Sequence, residues 1–203
     1  MAKAVVFDIG GVLIELNMER CIRGFREILG FERITELLDP YHQKGIYGDM
    51  EEGILSADDF RSQVLVDSRP GCVPSDVDRA MKCLLDRVNP EAPALIARLR
   101  GRYPFYLLSN NNPISMPFCL QALKDAGVDP EETFADQFIS CEMKMLKPSA
   151  AFYREAVRRV GLPAGEIVFI DDNLANVDGA RAVGLDARYY APGSSLEELL
   201  KDL

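Results

Sequence analysis

Near the start of the chain, Val5-Val6-Phe7 begins an apolar run that continues past Asp8 through Ile9, Gly10, Gly11, Val12 and Leu13. A run without alternation reads as a strand covered on both faces, as in a parallel sheet. It sets one carboxylate, Asp8, where the run is first broken. The two glycines that follow let the backbone turn sharply and approach a ligand closely. In open α/β sheets ligands sit outside the carboxyl ends of the strands, so Asp8 stands where chemistry is done. Alone, an Asp after a strand is more often a turn or cap residue. The case turns on whether other strands bring matching groups to the same edge.

Two further apolar runs do so. Residues 103–108 stop at Ser109-Asn110, and residues 167–170 stop at Asp171-Asp172. From Asn89 onward the pattern alternates helix and strand. Asn89-Pro90 caps a helix to about Arg100, helices follow over 116–126, 149–160 and up to Val183, and short strands are expected at 138–140 and 187–190. Ser195-Leu196-Glu197-Glu198 has the form of a capping box opening a terminal helix. Alternation with short links implies a doubly wound parallel α/β sheet with helices on both faces. Residues 16–88 read differently, as helices with no convincing strand, one of them carrying Ala80, Met81, Leu84, Leu85 and Val88. That block is too long for a plain crossover. It is expected to be a helical cap subdomain over 16–88, inserted into an α/β core of 1–15 and 89–203.

Composition narrows the function. A chain of 203 residues with 48% hydrophobic residues supports a sizeable core. A formal charge of −9 argues against a nucleic-acid partner. It leaves room for a small phosphorylated metabolite, since a metal ion can supply local positive charge. No run reaches membrane-spanning length and no signal-peptide pattern opens the chain, so no membrane partner is expected. The five cysteines, Cys21, Cys72, Cys83, Cys119 and Cys141, are odd in number and widely spaced, which fits reduced thiols in a cytoplasmic protein. They read as buried small apolar residues rather than nucleophiles.

In a parallel sheet the three run ends share one edge, and a loop holding Lys144 and Lys147 precedes the helix at Ser149. Asp8 with Asp171 and Asp172 would repel unless compensated. Carboxylate oxygens without His or Cys favour Mg²⁺, which takes further ligands from a substrate phosphate. Ser109 and Asn110 offer neutral donors and a lysine offers charge, a set suited to a phosphoryl group. An aspartate can then attack phosphorus and form an aspartyl-phosphate that water hydrolyses.

The ordered motifs Val6-Phe7-Asp8-Ile9-Gly10-Gly11-Val12, Leu108-Ser109-Asn110, Lys147-Pro148-Ser149 and Ile170-Asp171-Asp172-Asn173 with Asn176 resemble the haloacid dehalogenase (HAD) superfamily of phosphotransferases. The resemblance spans the chain and is nearest to the alpha-D-glucose-1-phosphate phosphatase branch. It implies a Rossmann-like core with a cap between the first and second motifs. It implies that Asp8 is nucleophile and Mg²⁺ ligand, with the Gly10 carbonyl and Asp172 completing the protein's metal contacts. It further implies that Ser109, Asn110 and Lys147 hold phosphate, and that Asp171 and Asn176 support the metal site.

One position departs from the common pattern. Most phosphatases of the superfamily carry a second Asp two residues after the nucleophile as general acid and base, and here that place is Gly10. The expectation is a slow phosphatase of a sugar phosphate, or one that borrows an acid from the cap or the substrate. Alternatives are a catalytically weakened ligand-binding or regulatory relative, a haloacid dehalogenase, or a phosphoaspartate receiver module. The Asp171-Asp172 pair argues against the dehalogenase, and its place after Asp8 argues against the receiver. In the cap, Tyr41, Tyr47, Asp49, Glu51 and Glu52 are candidates for substrate selection, with a solvated turn as a rival reading. His42, the only histidine, can supply a proton or touch substrate, but a surface or packing role is favoured.

Overall fold

The structure, a computed structural model, describes residues 1–38 and 44–203. Tyr41 and His42 therefore lie outside the described residues. Seven strands are present among them: β1 (Ala4–Phe7), β2 (Ile14–Leu16), β3 (Leu85–Val88), β4 (Phe105–Ser109), β5 (Phe134–Ile139), β6 (Ile167–Asp171) and β7 (Asp186–Tyr189). Five form a parallel sheet in the order β5-β4-β1-β6-β7, which puts β1 at its centre. The chain builds outward from β1 first on one side and then on the other, so a switch point opens at the carboxyl end of β1.

The unalternated run is explained by what covers it. Val5 and Phe7 face one apolar cluster, which holds Leu95, Leu99 and Leu123, while Ala4 and Val6 face the other, built on Phe152, Tyr153 and Phe169. All four side chains of β1 are buried. Edge strand β5 carries the half-buried Asp136 and Gln137, which is why its full length from Phe134 is masked in the sequence. The expected helices occur at Ala92–Leu99, Ser115–Asp125, Ala150–Val160, Leu174–Ala182 and Leu196–Leu199. The expected caps are made as well: Ser149 accepts from Ala151 N and Ser195 from Glu198 N.

Between β2 and β3 the helices Met18–Gly24, Ile34–Leu37, Gly45–Glu51, Ala57–Val66 and Pro74–Lys82 pack around a separate apolar cluster that includes Phe25, Tyr47, Phe60 and Met81. A π-helical stretch, Phe25–Leu29, continues the first of these. Ile114, from the loop after β4, is buried in the same cluster and ties it to the core.

The expectation that 16–88 holds no strand is corrected. The last helix of the block stops at Lys82, and Leu85–Val88 is a strand, not the end of a helix. It pairs antiparallel with Ile14–Leu16 to form a two-stranded stem beneath the helices. The sequence misleads because Leu85 and Val88 continue the helical spacing of Met81 and Leu84. Only a partner about seventy residues earlier makes them a strand.

Candidate active site

Parallel register aligns the run ends. Phe7 pairs with Ile170 on one side and Leu107 on the other, so Asp8 comes level with Asp171 and one residue short of Ser109. Asp8 N donates to Ile170 O at 2.9 Å, extending the ladder by one bond. Carboxylate oxygens of Asp8, Asp171 and Asp172 all lie within 4.8 Å of one another.

Lys147, not Lys144, joins them. Lys147 is buried, and its Nζ lies 2.8 Å from Asp8 Oδ2 and 2.7 Å from Asp171 Oδ2. It also donates to Leu108 O at 3.1 Å. Lys144 is exposed, in a left-handed conformation. The Lys147 loop is fixed by Asn110, whose Oδ1 accepts from Lys147 N at 2.8 Å and whose Nδ2 donates to Lys147 O at 3.1 Å. The carboxamide expected at a phosphate thus secures the lysine's main chain. Ser109 is buried, and among the described residues its hydroxyl makes only a long contact of 3.5 Å to Asn110 O.

Asp171 is the most heavily bonded acid. It accepts from Lys147 Nζ, from Asn173 N at 2.8 Å, and from Asn176 Nδ2 at 3.0 and 3.1 Å on its two oxygens. Asn176 is held in turn by Tyr153, whose hydroxyl donates to its carbonyl at 2.8 Å. Asp172 turns toward the cavity. At Gly11, with φ +75°, an added Cβ would lie 1.9 Å from Asp172 Oδ2, so the first motif needs a glycine to let that carboxylate in.

The electrostatics are those of a site short of positive charge. Burial, with the charges of Asp171 and Asp172, raises the Asp8 carboxyl well above its ordinary range, against the pull of Lys147. Burial likewise raises Asp172, to about 6. Burial alone would lower the Lys147 ammonium, but Asp171 and Asp8 outweigh it and hold the charge on. Three carboxylates against one ammonium leave two negative charges when all are ionised, which a divalent cation cancels. All-oxygen donors this close fit a hard ion such as Mg²⁺.

These groups floor a pocket of about 330 Å³ between the carboxyl edge of the sheet and the helical insert. Gly10 lines it without a side chain, and the cap contributes Tyr47, Gly48 and Glu51. Tyr47 and Ser115 place their hydroxyls close together, both buried and neither with a well-formed hydrogen bond. Burial, then the charge of Asp8, raises the Glu51 carboxyl to about 8. Asp49 and Glu52 do not line the pocket.

The sequence reading missed Asn111, Asn112 and Ser140, all buried. Asn111 N donates to Ser140 Oγ at 2.9 Å, and Asn112 Oδ1 accepts from the N–H groups of Ile114 and Ser115 to start the following helix. The run Asn110-Asn111-Asn112 carried that signal as a turn and cap composition. All five cysteines are free, but only Cys21 and Cys119 are buried as expected, while Cys72, Cys83 and Cys141 are half-buried; burial raises the thiols of Cys21, Cys119 and Cys141.

Comparison with known proteins agrees with this geometry. Residues 2–184 match the family model described as haloacid dehalogenase-like hydrolase. D-ribitol-5-phosphate phosphatase of Bacteroides thetaiotaomicron is 28% identical over 187 residues, covering 92% of this chain and 90% of that protein. A HAD family enzyme from Bacteroides thetaiotaomicron, solved with magnesium and inorganic phosphate, superposes with a TM-score of 0.89 at 30% identity, covering 98% of this chain and 99% of that one. A predicted HAD-like hydrolase from Porphyromonas gingivalis gives 0.89 at 32% identity, covering 100% and 97%. No helix among the described residues is long and apolar enough to cross a membrane. The chain belongs to the haloacid dehalogenase-like hydrolases.

Proposed function

We propose that this hydrolase is a Mg²⁺-dependent phosphatase that cleaves a small sugar or polyol phosphate through an aspartyl-phosphate on Asp8. The observation that carries the reading is the cluster of buried Asp8 and Asp171 with Asp172 around the buried Lys147, at the floor of the pocket. Magnesium, held by Asp8, Asp172 and the Gly10 carbonyl, would neutralise charge on the phosphoryl oxygens. Asp8 attacks phosphorus from the end of the central strand. Lys147 and Ser109 bind phosphoryl oxygens, and Asn110 keeps the Lys147 loop in place. Asp171 and Asn176 hold Lys147 and the acid cluster in register. The insert 16–88 closes the pocket as a cap.

Two supports favour a hydroxylated substrate. The relative from Bacteroides thetaiotaomicron is described as a D-ribitol-5-phosphate phosphatase. In this chain Tyr47 and Ser115 line the pocket with buried hydroxyls that make no well-formed hydrogen bond, and such groups gain from a substrate hydroxyl that pairs with them. The test is phosphate release from a panel of sugar and polyol phosphates with Mg²⁺ and with EDTA, beside Asp8→Asn. Release confined to wild type with Mg²⁺ is expected. Release that persists in EDTA or in Asp8→Asn refutes the reading.

A further inference from the structure

Cleaving an alkyl phosphate requires a proton for the departing alkoxide, and β1 supplies none, because the residue two beyond Asp8 is Gly10. Of the other ionisable groups around the pocket, Tyr189 stands on the sheet side at the end of β7, and the acids and the lysine of the core are committed. Lys147 is locked between Asp8 and Asp171, and Asp172 belongs to the metal set. The Tyr47 phenol and the Cys119 thiol are both held up by burial.

Glu51 stands apart. It is the last residue of the helix Gly45–Glu51 in the insert and lines the same pocket as Asp8. Its carboxyl makes no hydrogen bond or ion pair among the described residues, so nothing structural explains a carboxyl there. Its main chain is pinned to the core: Ser140 Oγ, just past β5, donates to Glu51 O at 2.6 Å. Two residues on, Gly53 packs so tightly that a Cβ would lie 2.2 Å from Cys141 O. The cap therefore delivers this one acid to a fixed place above the carboxyl edge of the sheet.

We propose that Glu51 is the general acid and base that replaces the carboxylate absent at Gly10, a role that rests on the phosphatase reading above. In the first half-reaction Asp8 bonds to phosphorus, the bond from phosphorus to the leaving oxygen breaks, and the Glu51 carboxyl gives its proton to that oxygen. In the second, the Glu51 carboxylate takes a proton from the water that attacks phosphorus. The Asp8–phosphorus bond breaks, and inorganic phosphate and the protonated Glu51 result. Burial, then the charge of Asp8, raises the Glu51 carboxyl, and Lys147 opposes them; these are the charged groups bearing on it.

The experiment compares Glu51→Gln with wild type on the best alkyl phosphate of the panel and on p-nitrophenyl phosphate, whose leaving group needs no proton. The kcat/KM on the alkyl ester falls about a hundred- to ten-thousand-fold, the size of general acid help. The kcat/KM on the aryl ester stays within about threefold, and a burst of p-nitrophenol appears as the phosphoenzyme accumulates. Mg²⁺ affinity, read by calorimetry, stays within about twofold of wild type. An equal fall on both esters, no fall on the alkyl ester, or a matching loss of Mg²⁺ affinity overturns the proposal. An unaffected Glu51→Gln beside an inactive Asp8→Asn removes only the role of Glu51; a wild type that releases no phosphate removes both readings.

Discussion

Core and cap meet at one pocket and treat their polar groups in opposite ways. On the core side Asp171 accepts from three residues, Lys147 bridges two acids, and the Asn110 carboxamide is doubly bonded to the Lys147 main chain. On the other side the Tyr47 hydroxyl is buried without a well-formed bond, and the half-buried Glu51 carboxyl has no hydrogen-bond or ion-pair partner among the described residues. A buried polar group left unpaired costs about 1–3 kcal/mol. The contrast divides the labour. On the proposed reading, the half that handles phosphorus is built before substrate arrives, and the half that handles the rest of the molecule is completed by substrate.

The contrast can be broken in order of expected effect. Asp8→Asn should lower turnover by at least about ten-thousand-fold, read as phosphate release, while circular dichroism stays native. Lys147→Met should cost about 3–5 kcal/mol in urea unfolding, because it leaves the Asp8 and Asp171 carboxylates buried without their cation. A cost under about 1 kcal/mol would mean that the core is not held by that bridge. Tyr47→Phe should behave in the opposite sense. Removing an unpaired buried hydroxyl should leave stability unchanged or raise it by about 1 kcal/mol, while KM for the polyol phosphate rises about tenfold and KM for p-nitrophenyl phosphate does not. A clear loss of stability would show that the hydroxyl already has a structural partner.

The smallest effect depends on pH. In the folded chain burial, then the charge of Asp8, raises the Glu51 carboxyl from 4.5 to about 8. Between those values the folded protein keeps a proton that the unfolded chain releases, so wild type loses stability as pH climbs through that window. Glu51→Gln cannot lose that proton. The two proteins should match near about pH 4 and differ by on the order of 1 kcal/mol in favour of Glu51→Gln near about pH 8, without Mg²⁺. A gap that does not widen with pH would place the Glu51 carboxyl in water.

Much of the core was legible because each chemical group closes an apolar run. Asp8, Ser109 and Asp171 sit at strand ends whose register is fixed by burial on both faces, and the proline after Lys147 marked the right lysine. The cap was less legible because its contacts are distant in sequence. Glu51 reads equally as a substrate-selecting acid or a solvated turn residue until Ser140, 89 residues away, bonds its main-chain carbonyl beside the site. Leu85–Val88 read as helix because its strand partner, Ile14–Leu16, lies across the whole insert. Asn110 was expected at the phosphate, and its carboxamide also holds the Lys147 loop, a contact that no local pattern encodes.

Rapid acid quench during turnover of the polyol phosphate, followed by mass mapping of the phosphorylated peptide, tests the central claim most directly. Transient phosphorylation on Asp8, built up in Glu51→Gln and lost in Asp8→Asn, is the predicted result. Turnover with no phosphorylated enzyme, or with the phosphoryl group on any other residue, would contradict it.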